Sequence, residues 1–249
     1  EELDQLPVLK CISRSGVGID NIDQEYAKKK NITILNTPDV VVQPVTEMTI
    51  ALIFDLLRFL TYHTTIIRSG QWVKKAGHTL TNRKIGIIGL GRIGKRVAES
   101  LRFFHADVMG YDLYPDTVWA EKHGVRIVDL TTLIKTSDII SLHVSLSAQN
   151  PFMLGQPEFA MMKKGTIIIN TSRGQVIDET ALYEHLSSGH LGGAGLDVFR
   201  KEPYTGPLST LNNVVLTPHI STLTEESRAE MERESVVNLL QFLNLPIRQ

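Results

Sequence analysis

The chain has 249 residues and a formal net charge of -1, and 42% of its residues are hydrophobic. This length can bury a sizeable core in one large or two smaller domains. The balanced charge argues against nucleic-acid and anionic-membrane partners, which need a basic field. The single cysteine, Cys11, excludes an internal disulfide, and no cysteine or histidine cluster has metal-ligand spacing. We therefore expect a protein of the reducing cytoplasm that holds no metal.

Apolar strands alternate with helical segments along most of the chain, which predicts an α/β fold with a doubly wound parallel sheet. The first strand is expected over residues 8–13, the first helix over 21–30 and a short strand over 33–36. One long helix is then expected from about residue 45 to beyond residue 68. The remaining predicted strands cover 85–88, 106–111, 126–128, 139–143, 166–170, 192–196 and 214–216, and the remaining predicted helices cover 92–104, 131–136, 157–162, 179–187 and 224–244.

Two domains of unequal completeness are expected. The strands between residues 85 and 216 make a complete sheet, which predicts a nucleotide-binding domain over residues 44–221. Residues 1–36 hold only two strands and one helix, too few to bury a core of their own. Residues 1–43 and 222–249 are therefore predicted to form a substrate domain that is incomplete at its N-terminus. We expect the native protein to have roughly fifty or more additional N-terminal residues in βα units.

Residues 89–94 have the sequence GLGRIG, the G-x-G-x-x-G spacing of a dinucleotide-binding turn between a strand and a helix. Gly89 permits the tight turn, Gly91 lets the backbone approach a pyrophosphate, and Gly94 lets the helix pack close to the sheet. The helix over 92–104 directs free N–H groups and its positive dipole end at the phosphates. A plain glycine-rich turn is the alternative.

An acidic residue, Asp112, follows the next apolar strand, residues 106–111. Its carboxylate can accept both ribose hydroxyls of a dinucleotide but would repel the 2′-phosphate of NADP. The residues that follow, Leu113, Tyr114 and Pro115, supply no cation for that phosphate. The pattern therefore predicts NAD as the cofactor.

Three side chains with suitable chemistry follow the carboxyl ends of predicted strands, where open α/β sheets bind ligands. Arg173 can grip a carboxylate through two hydrogen bonds. His219 can exchange a proton near neutral pH, and a carboxylate such as Glu202 would orient it. Alone, each could be a surface arginine, a structural histidine or a solvated glutamate. Together they suit hydride transfer between a 2-hydroxy acid and NAD.

Five motifs occur in an order and spacing that resemble the D-isomer-specific 2-hydroxyacid dehydrogenases over essentially the whole chain. They are RSGVGIDNID from residue 14, GLGRIG from residue 89, NTSRG from residue 170, LDVFRKEP from residue 196 and TPHIS from residue 217. The resemblance implies a Rossmann-type NAD domain and part of a flavodoxin-like substrate domain. It also implies that Arg173, Glu202 and His219 are the catalytic residues.

The resemblance implies binding roles as well. The backbone of Val17 and Gly18 would hold the substrate carboxylate together with Arg173. Ser221 departs from the family's common glycine or alanine and adds a hydroxyl near the nicotinamide. For NAD, the implied contacts are Arg92 and Ile93 with the pyrophosphate, Asp112 with the adenosine ribose, Val144 with the adenine, Asp197 with the nicotinamide carboxamide, and Thr171 and Ser221 lining the cleft.

The substrate remains open among several 2-keto acids. The RSGVGIDNID loop is most similar to that of phosphoglycerate dehydrogenases, and Arg14 could neutralise a phosphate distant from the reacting carbon. Arg14 could equally border a strand, and glyoxylate or hydroxypyruvate is then the alternative. A non-catalytic, NAD(H)-sensing corepressor-like binding protein is a further alternative, although the sequence has no recognisable peptide-docking motif.

The most hydrophobic segment, residues 48–60, is interrupted by Asp55 and Arg58 and is too short to span a bilayer. A helix that is apolar nearly all round needs a partner besides its own sheet. The family resemblance places this helix at a two-fold interface, so we expect a homodimer. Complete burial within one subunit is the alternative.

Overall fold

The computed structural model describes residues 2–145 and 153–247. The chain divides into two compact units: unit 1 comprises Glu1–Pro44 and Thr222–Gln249, and unit 2 comprises Val45–Ser221. The strands are β1 (Cys11–Ser13), β2 (Thr33–Leu35), β3 (Lys84–Ile88), β4 (Asp107–Tyr111), β5 (Arg126–Ile127), β6 (Ile139–Leu142), β7 (Ile167–Asn170), β8 (Gly193–Leu196) and β9 (Val214–Leu216). The helices are α1 (Gln24–Lys29), α2 (Val42–Arg58), α3 (Leu60–Arg68), α4 (Arg92–Phe103), α5 (Thr117–Lys122), α6 (Leu130–Thr136), α7 (Gln156–Met161), α8 (Glu179–Ser187) and α9 (Glu225–Phe242).

Unit 2 is built on a seven-stranded sheet in the order β5-β4-β3-β6-β7-β8-β9, in which every pair is parallel. Successive strand residues enter different core clusters: Ile140 and Ile168 pack in one, and Ile139 and Ile169 in the other. Because side chains alternate between the faces of a strand, both faces of the sheet are covered. The prediction of a doubly wound parallel sheet is confirmed.

Aspartates begin several of the helices that cover the sheet. Asp116, Asp129 and Asp178 each accept a hydrogen bond from a backbone N–H in the first turn of α5, α6 and α8. These caps satisfy N–H groups that have no partner within the helix. Helix α5 was not predicted from the sequence, and its six residues are short for a periodicity argument.

The prediction of one continuous helix from about residue 45 to beyond residue 68 is wrong, because the structure has two helices there. The segment bends by 60° between α2 and α3. Phe59 lies at the break with a φ of 54°, a left-handed conformation that helices do not continue through. Among the described residues no single helix is long and apolar enough to cross a membrane, whereas α2 and α3 would meet those criteria only as a bent pair.

Unit 1 contains a two-stranded parallel sheet of β1 and β2. Helix α9 is attached to this sheet by side chains: Ser13 Oγ donates to the Ser235 carbonyl (2.6 Å), and Asn238 Nδ2 donates to the Asn36 carbonyl (3.1 Å). Chain segments far apart in sequence thus form one unit.

Candidate active site

Three neighbouring strands of the unit 2 sheet end level with one another. Asn170 at the end of β7 pairs with Leu196 at the end of β8, and Leu196 pairs with Leu216 at the end of β9. Adjacent strands lie about 4.8 Å apart, so the loops that follow begin side by side. Arg173 lies three residues beyond β7 and His219 three residues beyond β9, and Glu202 follows β8.

Two of the predicted catalytic residues are in direct contact. His219 Nδ1 lies 2.9 Å from Glu202 Oε2, and Glu202 Oε1 accepts a hydrogen bond from the Phe199 backbone N–H at 3.1 Å. The His219 side chain is 51% exposed and that of Glu202 38%. The backbone contact holds the carboxylate, and the carboxylate in turn orients the ring, so that Nε2 is the ring nitrogen that does not face Glu202. The pair has the form of an oriented general acid or base.

The turn that carries Arg173 is fixed by a buried asparagine. Asn170 Nδ2 donates to the Arg173 carbonyl (2.9 Å), and Asn170 Oδ1 accepts from the Ser172 backbone N–H (3.0 Å) and from its hydroxyl (2.8 Å). The Arg173 guanidinium donates to the Ser172 carbonyl through Nη1 (2.7 Å). The turn therefore holds the backbone of Arg173, and a planar guanidinium has the geometry that suits a carboxylate.

The glycines of the GLGRIG turn lie in three different environments. Gly89 has a φ of 93°, and a Cβ there would lie 2.4 Å from the His143 carbonyl oxygen. At Gly94 a Cβ would lie 1.9 Å from the Gly89 carbonyl oxygen, whereas at Gly91 it would meet nothing within 4 Å. Close contacts within the protein thus explain why Gly89 and Gly94 lack a side chain, but no such contact explains the glycine at position 91. The open space over Gly91, at the N-terminus of α4, fits a pyrophosphate close to the backbone.

Asp112 lies directly after β4 and joins two loops. Its Oδ2 accepts a hydrogen bond from the Leu90 N–H (2.7 Å), and its Oδ1 accepts one from the Tyr114 N–H (2.9 Å). A carboxylate has about four lone-pair sites, so each oxygen keeps one for a ribose hydroxyl. Arg92 and Ile93 are the first two residues of α4, at the helix end whose dipole favours an anion.

The other residues assigned to the NAD cleft lie at the same sheet edge. Thr171 is buried, and its hydroxyl lies 2.9 Å from that of Thr49 on α2. Val144 follows β6 and is partly buried in the core cluster that contains Ile140. Its neighbour His143 shares a hydrogen bond with the Ser141 hydroxyl (2.9 Å), and burial lowers the pKa of His143 to about 3. His143 is therefore neutral at physiological pH.

Asp197 and Ser221 contact each other directly. Asp197 Oδ2 accepts hydrogen bonds from the Ser221 backbone N–H (2.8 Å) and from the Ser221 hydroxyl. The contact of Asp197 with the nicotinamide carboxamide and the place of Ser221 in the lining of the cofactor cleft stay predictions.

Val17 and Gly18 are predicted to contact the substrate through their backbone. They lie in unit 1, whereas the other predicted site residues lie in unit 2. Hydrogen bonds hold the loop of Val17 and Gly18: the Gly16 N–H donates to Thr37 Oγ1 (2.8 Å), the Thr37 N–H donates to the Gly16 carbonyl (3.1 Å), and Asn36 Nδ2 donates to the Val17 carbonyl (2.9 Å). The substrate-binding role of this loop stays a prediction.

Sequence reasoning missed two polar residues that hold loops of the site. Asn170 fixes the turn of Arg173, and Thr217 Oγ1 donates to Asp197 Oδ1 (2.6 Å), but neither residue was assigned a role. Both lie inside motifs, NTSRG and TPHIS, so position next to an assigned residue was the available signal. Their partners could not be read from the sequence, because hydrogen bonds between loops depend on which strands are neighbours.

A comparison with protein families agrees with this geometry. Residues 50–221 match the model of the D-isomer specific 2-hydroxyacid dehydrogenase, NAD binding domain. The chain is 39% identical to a glyoxylate reductase from Thermococcus litoralis, an alignment that covers 97% of this chain and 76% of that protein. It is 41% identical to a D-3-phosphoglycerate dehydrogenase from Methanocaldococcus jannaschii, over 91% of this chain and 44% of that protein.

Solved structures show the same fold. The crystal structure of D-lactate dehydrogenase from Aquifex aeolicus complexed with NAD and lactic acid superposes with a TM-score of 0.90 at 32% identity, over 97% of this chain and 78% of that chain. The family match, the open turn at Gly91 and the aligned strand ends lead to one assignment. The chain belongs to the D-isomer specific 2-hydroxyacid dehydrogenase family of NAD-dependent oxidoreductases.

Proposed function

We propose that the chain interconverts a small 2-keto acid and its D-2-hydroxy acid, with Arg173, Glu202 and His219 as the catalytic residues. The observation that carries this proposal is the 2.9 Å contact between His219, which follows β9, and Glu202, which follows β8. Strand β8 is the neighbour of β7, the strand that precedes Arg173. When bound, NADH supplies the hydride for reduction. The protein must then bind the carboxylate and deliver one proton to the carbonyl oxygen.

Each residue has a distinct role in the proposed reduction. The Arg173 guanidinium binds the substrate carboxylate and polarises the keto oxygen. His219 in its protonated form donates the proton from Nε2, because Nδ1 faces Glu202. Glu202 stabilises the positive charge of the ring and fixes its orientation, and it does not take up the proton itself.

Substitution of His219 and Arg173 tests these roles. With glyoxylate or hydroxypyruvate and NADH, H219Q and R173Q should each lower kcat/KM by about 10²–10⁴-fold. H123Q is the matched control, because His123 also pairs with a glutamate, Glu99 at 3.4 Å, away from the strand ends. The assignment is wrong if H219Q retains kcat/KM within about a factor of two of the wild-type value.

Glyoxylate or hydroxypyruvate is the proposed substrate class, since the glyoxylate reductase relative is covered over 76% of its length. One observation favours a phosphorylated substrate instead: a guanidinium nitrogen of Arg14 lies 2.9 Å from the position of a Cβ on Gly16, in the loop that also carries Val17 and Gly18. Turnover of phosphohydroxypyruvate alongside the two unphosphorylated acids decides between them. R14Q should weaken turnover of the phosphorylated acid alone if Arg14 binds a phosphate.

A corepressor-like binding protein would bind NADH without turning over any of these acids, so the same assay separates that alternative. Failure of all three acids, with intact NADH binding, would favour it. If the protein does not bind NADH, both the dehydrogenase proposal and the corepressor-like alternative are wrong.

We infer a homodimer from α2, α3 and the family resemblance. Leu52, Ile53, Leu56 and Leu57 of α2 are buried in unit 2, whereas Leu60 and Ile67 of α3 are exposed. Exposed apolar side chains on one helix favour a protein partner. Light scattering at micromolar concentration should give twice the monomer mass, and a monomer mass would reject the dimer. The absence of nucleic-acid and membrane partners and a cytoplasmic location stay predictions from charge and cysteine content.

A further inference from the structure

The loop that carries Glu202 follows β8 and contains no helix or strand, so backbone pairing in regular structure does not hold it. Two successive N–H groups of this loop are instead bound by glutamate side chains. The Phe199 N–H donates to Glu202 Oε1 (3.1 Å), which is a contact within the loop. The Arg200 N–H donates to Glu179 Oε1 (2.6 Å), which is a contact with another part of the chain.

Glu179 is the first residue of α8, the helix that follows the turn of Arg173. A carboxylate at this position is stabilised by the positive end of the helix dipole, and Asp178 fixes the helix start as its N-cap. A hydrogen bond to a charged acceptor is roughly twice as strong as one between neutral groups. Glu179 therefore fastens the loop of Glu202 to the start of a capped helix.

A second observation places the Glu179 carboxylate near the other end of the same loop. Burial raises the pKa of the Tyr204 hydroxyl, and the negative charge of Glu179 raises this pKa further. The Tyr204 ring stacks on the Phe199 ring with a centroid distance of 4.4 Å. Glu179 thus acts on residues that come before and after Glu202 in the chain.

We propose that Glu179 is a positioning residue, which holds the loop of Glu202 so that the Glu202 carboxylate faces His219. Without this contact the loop gains freedom, and the partly exposed Glu202 can turn towards water. The inference rests on the proposed function, because the placement of Glu202 matters to turnover only if His219 transfers the proton. Its structural part can be measured without NADH and without turnover.

Three substitutions separate the reach of the side chain from its charge. E179D keeps the charge at the start of α8 but is one methylene group shorter, so its carboxylate should not reach the Arg200 N–H. E179A removes the acceptor altogether. E179Q has the reach of glutamate and keeps an acceptor oxygen without the charge. E158A is the matched control, because Glu158 also accepts a backbone N–H, that of Gly155 (2.9 Å), in the first turn of α7.

The first experiment reads the ring nitrogens of His219 by long-range ¹H–¹⁵N NMR in the cofactor-free protein, with H219Q to assign the signals. E179D and E179A should shift the Nδ1 signal, which reports the contact with Glu202. E179Q and E158A should leave it as in the wild type. E179D remains informative if E179A fails to fold. Unchanged His219 signals in folded E179D would overturn the proposal, and so would an equal shift in E158A.

The second experiment measures turnover of glyoxylate or hydroxypyruvate with NADH. Misplacing a catalytic group by about 1 Å can cost about 10²-fold, so kcat should fall about tenfold or more in E179D. The KM for the keto acid and the Kd for NADH should stay within about threefold of the wild type, because the turn of Arg173 and the GLGRIG turn are intact. E179Q should restore kcat to within about threefold of the wild type.

A double variant tests whether Glu179 acts through Glu202. E202Q should itself lower kcat, and adding E179D should lower it by no more than about a further threefold, because the carboxylate that Glu179 positions is already gone. Losses that multiply would show that Glu179 acts by another route and would overturn the proposal.

The failures of the two proposals can be told apart. If H219Q is fully active but E179D still shifts the His219 NMR signals, the proposed function fails and the positioning of Glu202 stands. If H219Q is inactive while E179D has wild-type kcat and wild-type NMR signals, the positioning role fails and the proposed function stands.

Discussion

Gly174 and Phe199 touch through their backbones. A Cβ at Gly174 would lie 1.9 Å from the Phe199 carbonyl carbon and 2.2 Å from its oxygen. Arg173 directly precedes this glycine, and the Phe199 N–H binds Glu202. The close approach therefore joins the loop of the arginine to the loop of the glutamate.

A methyl group at this position should force the two loops apart. G174A should destabilise the fold by about 1–3 kcal/mol, because neither backbone can yield as a side chain would. It should also lower kcat by about tenfold or more, since Arg173 and Glu202 lose their relative placement. G155A is the control: a Cβ there meets no atom closer than 3.5 Å. Urea unfolding and steady-state kinetics measure the two effects. Wild-type stability and kcat in G174A would show that the contact is not needed.

Substitution of two glycines in the GLGRIG turn should separate an effect on NADH binding from an effect on the stability of the fold. G91A should unfold at the wild-type urea concentration, because a Cβ there meets nothing within 4 Å. Its Kd for NADH should rise by about tenfold or more, since the methyl group would stand where the pyrophosphate approaches the backbone. G94A should instead lose stability, because its Cβ would lie 1.9 Å from the Gly89 carbonyl oxygen. Wild-type NADH affinity in G91A would place the pyrophosphate elsewhere.

Asp112 should make the protein selective for NAD. NADP⁺ should bind about 100-fold or more weakly than NAD⁺, because its 2′-phosphate would face the fixed carboxylate. D112N should reduce this ratio by removing the charge, while the amide oxygen can still accept one of the two backbone hydrogen bonds. D116N, which alters an exposed aspartate that pairs with Lys95 at 2.7 Å, should leave the ratio unchanged. Equal affinity of the wild type for both dinucleotides would contradict the assignment.

His143 should make stability depend on pH. Its folded pKa is about 3, well below the ordinary value of 6.5. Between these values the unfolded chain binds a proton that the folded chain does not, so stability is complete above pH 6.5 and falls as the pH decreases. The loss from this group between pH 6.5 and about pH 5 is about 1–2 kcal/mol.

H143Q should remove that component of the pH dependence, and H123Q, at a partly exposed histidine, should leave it in place. Urea unfolding of the three proteins at both pH values gives the difference directly. An equal loss of stability in H143Q and the wild type would show that His143 does not cause it.

Much of the architecture could be predicted from local patterns in the sequence. The apolar runs predicted all seven strands of the unit 2 sheet, and β9 and α8 have the predicted bounds. This works because the strands of a buried parallel sheet are apolar on both faces and their ends are marked by polar residues. The break at Phe59 was not predicted, because a residue with a left-handed backbone between two apolar helices does not change the spacing of the apolar residues.

The residue types of the candidate site were also evident from the sequence. Motif spacing placed Arg173, Glu202 and His219 after three strands, and the glycine pattern assigned different roles to Gly89, Gly91 and Gly94. Chain order alone, however, does not say which strands are neighbours or which residues pair between them.

The tertiary structure decided the contacts that give these residues their roles. Three of these contacts join segments that are separated along the chain. They are the level ends of β7, β8 and β9, the approach of Gly174 to Phe199, and the hydrogen bonds that Thr217, Ile220 and Ser221 donate to Asp197. A sequence pattern reports whether a residue is buried and which local conformation it favours. Hydrogen bonds between loops depend on atomic positions set by the packing of the whole sheet, and for that reason Asp197 could be assigned to a ligand from its motif but to the turn of His219 only from the fold.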